Sequence, residues 1–440
     1  MGEWPHSLRV GVFHPGTQRI QEVSLAFQRG QMLEWCATGV YYKPSRGCYR
    51  WVSHLPRRIQ RPILRELHKR RLDELEDDRV LTHGVGEWIH LLMMRSPLVS
   101  RYAHFIERWR TMEFGRWLAS SALLSTVDVV YGFNEMSLEA FRHAKAIGKL
   151  CVLDQTSAFS GYNECVLREE LQHERSFGKE VLRHRIRHLQ WAATREREEL
   201  RIADLVVTGS KFSMQTLAET GVNMAKVKVV GNVSTAPRRV LVPRRTNTRV
   251  RLLYVGTVTP SKGIRYLLDA MRMLTDLSIE LTMIGALDMP LTDLKPYDGL
   301  FTYRPRVPRS ELWEMYATAD LFVFPSLSEG FARVLLEAAS MGLPLVATTS
   351  SGADLIIGQN ECGLLVPPRN AVALAEAIRK ICIDRRLREQ MSRRAWERSR
   401  EFDFDNYTKR LLSAVASLSP LSSYAPCDEK RSMRVPGRLP

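Results

Sequence analysis

The sequence predicts an α/β fold of two Rossmann-like β/α/β domains facing a central cleft, and three observations predict it. Short apolar runs of strand length alternate with longer stretches of helical spacing along most of the chain. The strand-like runs are almost continuously apolar, as strands of a parallel sheet covered on both faces must be. The alternation stops once, at residues 233–249 (VSTAPRRVLVPRRTNTR), where two Pro and five Arg show no periodicity, and then restarts. That segment is the expected linker between domains 1–232 and 250–400.

Taken in order, Leu8 to Phe13 (LRVGVF) reads as a buried strand ending in the tight loop His14-Pro15-Gly16. From Tyr42 to about Arg116 the chain is rich in Arg, His and Trp with apolar residues at helical spacing, so amphipathic helices are expected there. VDVVYGF (127–133) and KLCVLDQ (149–155) read as strands around the helical SLEAFRHAKAIG, whose Gly148 suits a helix stop. One charged helical stretch then runs from about Glu164 to Ile202, followed by strand ADLVVTGS, helix FSMQTLAETG and strand KVKVVGN. The second domain repeats the pattern: RLLYVGTV, a helix to about Leu274, IELTMIG, PRSELWEMYATA, DLFVFPS, ARVLLEAASMG and PLVATT. Residues 401–418 are expected to form a C-terminal helix packing back on the first domain, and the Ser/Pro/Arg-rich 419–440 a disordered tail.

Composition narrows the function. The 440 residues carry 64 Lys+Arg against 48 Asp+Glu, a net charge of +16, divided evenly: 34 basic against 26 acidic residues up to position 235, and 30 against 22 beyond it. Neither half is a basic arm, so a dedicated nucleic-acid binder is not indicated. Interspersed positive charge instead favours weak attraction to polyanions such as acidic lipid head groups and sugar diphosphates. Seven cysteines without a C-x-x-C pair indicate neither a disulfide framework nor a zinc site, and no metal or cofactor is expected. The first residues lack a signal-length apolar run, position 6 is His6 where a myristoylation signal needs Ser or Thr, and no stretch approaches the ~18 apolar residues of a membrane span. The expected location is cytoplasmic, with any membrane contact peripheral.

The chemistry concentrates in DLFVFPSLSEGFARVLLEAASMGLPLVATT. A buried strand ends at Pro325, a polar loop follows, and a helix opens near Ala332. Ligands of open α/β sheets bind beyond the carboxyl ends of the strands, where helix N-termini offer free N–H groups. The amides of Gly330, Phe331 and Ala332 are therefore candidates for an anionic or hydroxyl-rich ligand. Glu329 in the loop and Glu337 in the second helical turn are placed to grip two parts of one ligand; on helix logic alone Glu337 is a solvated or capping residue. The first strand of this half has the same construction, leading through Thr259-Pro260-Ser261 to Lys262-Gly263 and a helix, where a compact cation beside free amides meets a phosphate.

Together VGTVTPSKG, MIGAL, ELWEMYATADLFVFPSLSEGF, the E-x7-E pair Glu329 and Glu337, GLPLVAT, SGADLI and CGLLVPP resemble the retaining glycosyltransferases of family four, strongest over about 250–370. VGVFHPG, CVLDQ and REELRIADLVVTGSKFS carry a weaker likeness in the first half. The resemblance implies a GT-B fold and transfer of a sugar from a nucleotide-diphosphate donor to a hydroxyl of a glycan or lipid-linked acceptor. It implies that Lys262 binds the diphosphate, Glu337 the ribose and Glu329 a hydroxyl of the sugar. The amides from Gly330 through Phe331, Ala332 and Val334 would hold sugar and phosphate, Gly16 would approach the diphosphate from the first domain, and Gly285 and Val307 would lie near the base. Three departures stand out: Thr257 follows Gly256 where the family usually has an arginine, Gly231-Asn232-Val233-Ser234 departs from the usual turn, and Asp154-Gln155-Thr156 replaces a frequent histidine. Arg333 or Lys211 is then expected to supply the second cation, with Asp154 on the first-domain side. A glycosyltransferase-like subunit that binds a partner enzyme or glycan, and a nucleotide-sugar epimerase of related fold, remain the alternatives.

Overall fold

The computed structural model describes residues 8–16, 19–43, 49–52, 54–68, 70–84, 86–88, 103–173, 177–234, 236, 249–359 and 361–418. Two wholly parallel sheets form. The first contains β1 (Val10–His14), β2 (Leu33–Thr38), β3 (Val80–Thr82), β4 (Val129–Phe133), β5 (Leu150–Gln155), β6 (Leu205–Thr208) and β7 (Val227–Val229), in the order β3-β2-β1-β4-β5-β6-β7. The second contains β8 (Val250–Val255), β9 (Ile279–Ile284), β10 (Thr302–Arg304), β11 (Leu321–Phe324), β12 (Leu345–Thr348) and β13 (Gly363–Val366), in the order β10-β9-β8-β11-β12-β13. The central strands are buried along their whole length, which their Val, Leu and Phe content dictates. In each sheet the strand order reverses beside the first strand, β1 against β4 and β8 against β11. Loops diverge there and leave room for a ligand.

Four strands escaped the sequence reading. β2 is interrupted by the exposed Glu34, while β3, β10 and β13 are short and lie at sheet edges. β3 falls inside the segment expected to be helical throughout. Of that segment the helices Tyr49–Val52, Arg57–His68 and Ala103–Ser120 are described, and residues 89–102 lie outside the described residues.

The stretch expected as one helix from Glu164 to Ile202 is two, Ser160–Gln172 and Lys179–Ile202. Gly178 caps the second with φ 54, a left-handed conformation that glycine adopts without strain, and its N–H donates to Asp293 Oδ2 at 2.7 Å. The break turns the two helices into a hairpin that reaches the second domain. Val166, Leu167, Leu182 and Ile186 bury themselves there against Tyr266 and Leu327. Farther along the same helix, Ala193 and Leu200 pack into the first domain.

The helix Phe404–Ala416 crosses back to the first domain, where Tyr407, Leu411, Leu412 and Val415 join the core of Val10, Val12, Ile20 and Phe27. Burial of each such side chain stabilises by about 1.5–3 kcal/mol. The expected tail, 419–440, and most of the expected linker, residues 235 and 237–248, lie outside the described residues.

Candidate active site

The loops after β8 and β11 converge because their strands are neighbours. After β8 the chain makes one 3-10 turn, Pro260–Lys262, and Gly263 (φ 68) starts the helix Ile264–Arg272. A Cβ at Gly263 would stand 2.0 Å from the Pro325 carbonyl oxygen, so only glycine lets the two loops touch. The contact brings Lys262 Nζ into an ion pair with Glu329 Oε1, which also accepts from Ser326 Oγ at 3.1 Å. The 328–330 loop is fixed from behind by Glu329 N donating to Ser350 O at 2.9 Å.

Lys262, Glu329 and Gly330 form one wall of a cleft of about 420 Å³. The opposite wall comes from the first domain: Ser157, Ala158 and Asn163, then His184, Arg185, His188 and Leu189 along one face of the helix Lys179–Ile202. Arg185 reaches across, with Nη1 donating to Ser261 Oγ at 3.1 Å and Nη2 to Asp288 Oδ2 at 2.6 Å. His188 Nε2 lies 3.4 Å from Glu135 Oε2, and that carboxylate raises its pKa above the usual imidazole value against the opposing effect of burial.

The domains meet tightly at the cleft floor. Ser210 Oγ donates to Gly330 O, and a Cβ on Gly330 would lie 2.0 Å from Thr156 O of the first domain. The N–H groups of Gly330 and Phe331 make no hydrogen bond among the described residues; Gly330 lines the cleft, whereas Phe331 is buried and does not.

Other expected site residues lie elsewhere or are already engaged. The Ala332 amide donates to Ser351 O at 3.2 Å, so it is spent within the domain, and Phe331 is buried with its ring 6.1 Å from that of Phe402. Glu337 accepts from Tyr316 OH and Arg309 Nη2, each at 3.1 Å, and does not line the cleft. Val334 and Val307 are half-buried against the second core. Gly285 is forced by close approach, since a Cβ would meet Gly256 O at 1.9 Å. The Thr257 carbonyl accepts from Tyr254 OH at 2.8 Å. Gly16 N donates to His14 Nδ1 at 2.8 Å, and residues 17–18 beyond it lie outside the described residues.

Neither expected second cation reaches the cleft. Arg333 Nη2 pairs with Glu22 Oε1 at 2.7 Å, tying the two domains together, and Lys211 is exposed and does not line the cleft. Asp154 is wholly buried inside the first domain: Tyr131 OH donates to it at 2.8 Å and Arg19 Nη1 stands 3.7 Å away. Burial raises the pKa of that carboxyl against the opposing effects of Arg19 and the Tyr131 hydrogen bond, and Asp154 does not line the cleft. The sequence reading missed His184, Arg185 and His188. Their spacing on one helical face was the available signal, masked by the charge of the whole stretch. Among the described residues no group of three or more His, Cys, Asp or Glu is arranged to hold a metal ion.

Residues 242–398, which carry this wall of the cleft, match the family described as Glycosyl transferases group 1. The second domain is thus similar to that family over about a third of the chain. The chain is also similar to the O-antigen chain mannosyltransferase B of Escherichia coli, 30% identical over 38% of this chain and 45% of that enzyme. It is similar as well to the D-inositol 3-phosphate glycosyltransferase of Paenarthrobacter aurescens (strain TC1), 31% identical over 36% of this chain and 43% of the other. The chain spans less than half the length of the curated relatives it matches. Around the group 1 domain the whole architecture is GT-B: the structure of Anabaena Alr3699/HepE in complex with UDP superposes with a TM-score of 0.58 at 14% identity, over 93% of this chain and 100% of that one.

Proposed function

We propose that the chain is a retaining glycosyltransferase that moves a sugar, of hexose type, from a nucleotide-diphosphate donor to a hydroxyl of a glycan or lipid-linked acceptor. The observation that carries the reading is the meeting of Lys262 and Glu329 on the cleft wall at the strand switch point of a group 1 domain. HepE is described as binding UDP and UDP-glucose, and WaaG as acting in lipopolysaccharide biosynthesis, which supports a sugar-nucleotide donor and a surface glycoconjugate as product.

In this reading the bond from the anomeric carbon to the diphosphate oxygen breaks, and the acceptor oxygen bonds to that carbon on the same face. The acceptor's proton passes to the departing phosphate. Charge grows on that phosphate as the bond breaks, so Lys262 and the Gly330 amide bind the transition state more strongly than the donor. These groups, and no metal ion, are assigned the charge. Glu329 holds a hydroxyl of the sugar and Glu337 the ribose. Gln155 and Asp154 take no part, since both are buried in the first sheet.

The acceptor is assigned to the first domain, at the cytoplasmic face of a membrane when it is lipid-linked. Arg57, Arg58, Arg61 and Arg65 are exposed along the helix Arg57–His68, whose Leu67 is buried, and such a face suits an anionic glycan or head-group surface. No helix among the described residues is long and apolar enough to cross a membrane.

The test is thermal shift and donor hydrolysis against UDP-, GDP- and ADP-sugars, with Lys262→Ala and Glu337→Ala alongside. Stabilisation by one nucleotide, slow release of its sugar and loss of both in the variants are expected. Absence of any response in the wild type turns the assignment toward a glycan-binding subunit.

A further inference from the structure

We propose that Arg185, on the first domain, is the second cation that receives the donor's diphosphate. The inference deepens the nucleotide-sugar reading and rests on it. A nucleoside diphosphate brings at least two negative charges into the cleft, and Lys262 is already matched there by Glu329. The guanidinium of Arg185 stands on the opposite wall, yet it hydrogen-bonds Ser261, the residue next to Lys262. It therefore flanks the same phosphate position from across the cleft.

The side chain is positioned in advance. Leu182 and Ile186, on either side of it in the helix, are buried against Tyr266 and Leu327 of the second domain. Its other contact, Asp288, is 41% exposed while Arg185 itself is 37% exposed. An ion pair so wetted is weak and is exchanged cheaply for a phosphate, which offers a planar guanidinium two parallel acceptors. Because the cation comes from one domain and Lys262 from the other, the diphosphate itself bridges the two. The donor then binds only where both domains are in place.

The experiment is calorimetric titration of the full chain with UDP, GDP and ADP and with UMP, GMP and AMP, using wild type, Arg185→Gln, Arg185→Lys and Asp288→Asn. For the nucleotide that binds the wild type, Arg185→Gln is expected to weaken the diphosphate about tenfold or more and the monophosphate less than about twofold. Arg185→Lys should recover part of the loss, and Asp288→Asn, which frees the guanidinium, should bind the diphosphate at least as well as wild type. Unchanged diphosphate affinity in Arg185→Gln overturns the proposal. So does an equal loss in Asp288→Asn, which would make the pair a brace between domains. If the wild type binds none of the diphosphates, the nucleotide-sugar reading fails first and takes this inference with it.

Discussion

Lys262 and Glu329 stand 67 residues apart in sequence and form an ion pair across two loops that only glycine at position 263 allows to touch. The pair joins the two loops, and on the proposed reading a donor diphosphate competes with Glu329 for Lys262. Removal of one partner therefore has opposite effects on nucleotide binding. Lys262→Ala leaves the Glu329 carboxylate facing the diphosphate, and kcat should fall by about 10²–10³ with binding of the nucleotide diphosphate lost. Glu329→Gln frees the lysine, so the same nucleotide should bind as tightly as wild type or tighter, while sugar transfer slows. Parallel titration and turnover of the two variants decide it; equal weakening of binding in both would refute the division of roles.

Gly330 is the point where the second domain rests on the backbone of the first. A methyl group there would lie 2.0 Å from Thr156 O and 2.7 Å from Ser157 Cα, backbone atoms that cannot swing aside. Gly330→Ala should force the cleft open, raise the radius of gyration in solution scattering and lower kcat/KM by about a hundredfold, as a misplacement of around 1 Å does. A variant with wild-type dimensions and activity would show that the floor of the cleft is more pliant than its backbone contacts imply.

How much of this was legible in sequence depends on where each signal lies. The second domain was legible because strand, loop and helix N-terminus are contiguous there: Lys262, Glu329 and Gly330 each follow directly from a buried strand. Partnership was not legible. That Ala332 spends its amide on Ser351, that Arg333 turns to Glu22 and that Asp154 is sealed beside Arg19 all depend on residues distant in sequence. The first domain is harder for a further reason. β3 is three residues long in a charged segment, and the hairpin break at Gly178 rests on Asp293 of the other domain, so local pattern favours one unbroken helix.

The basic face of the helix Arg57–His68 gives a prediction about surfaces. With Arg58, Arg61 and Arg65 exposed on it, the protein should sediment with vesicles of anionic phospholipid at low salt and remain free of neutral ones. Changing the three arginines to glutamine should weaken vesicle binding on the order of a hundredfold, at about 1 kcal/mol per basic residue. Equal sedimentation of the variant would move any lipid contact elsewhere.

His14 supplies a pH dependence with a definite sign. It is buried at the end of β1, its Nδ1 accepts the Gly16 N–H, and burial, with Arg110 adding to it, lowers its pKa to about 4 from the usual 6.5. Protonation of Nδ1 would break the bond to Gly16 and place a second cation near Arg110. Between pH 6.5 and 4 the unfolded chain therefore binds a proton that the folded chain refuses. The stability this residue contributes is complete above pH 6.5 and is lost as pH falls toward 4, by up to about 3 kcal/mol. Denaturant unfolding from pH 7.5 to 4 should show the decline in wild type and a shallower one in His14→Gln, which accepts the Gly16 bond without titrating. Parallel slopes for the two proteins would assign the acid sensitivity to carboxylates instead, and would mean that the loop holding Gly16 keeps its shape with a charged imidazole beneath it.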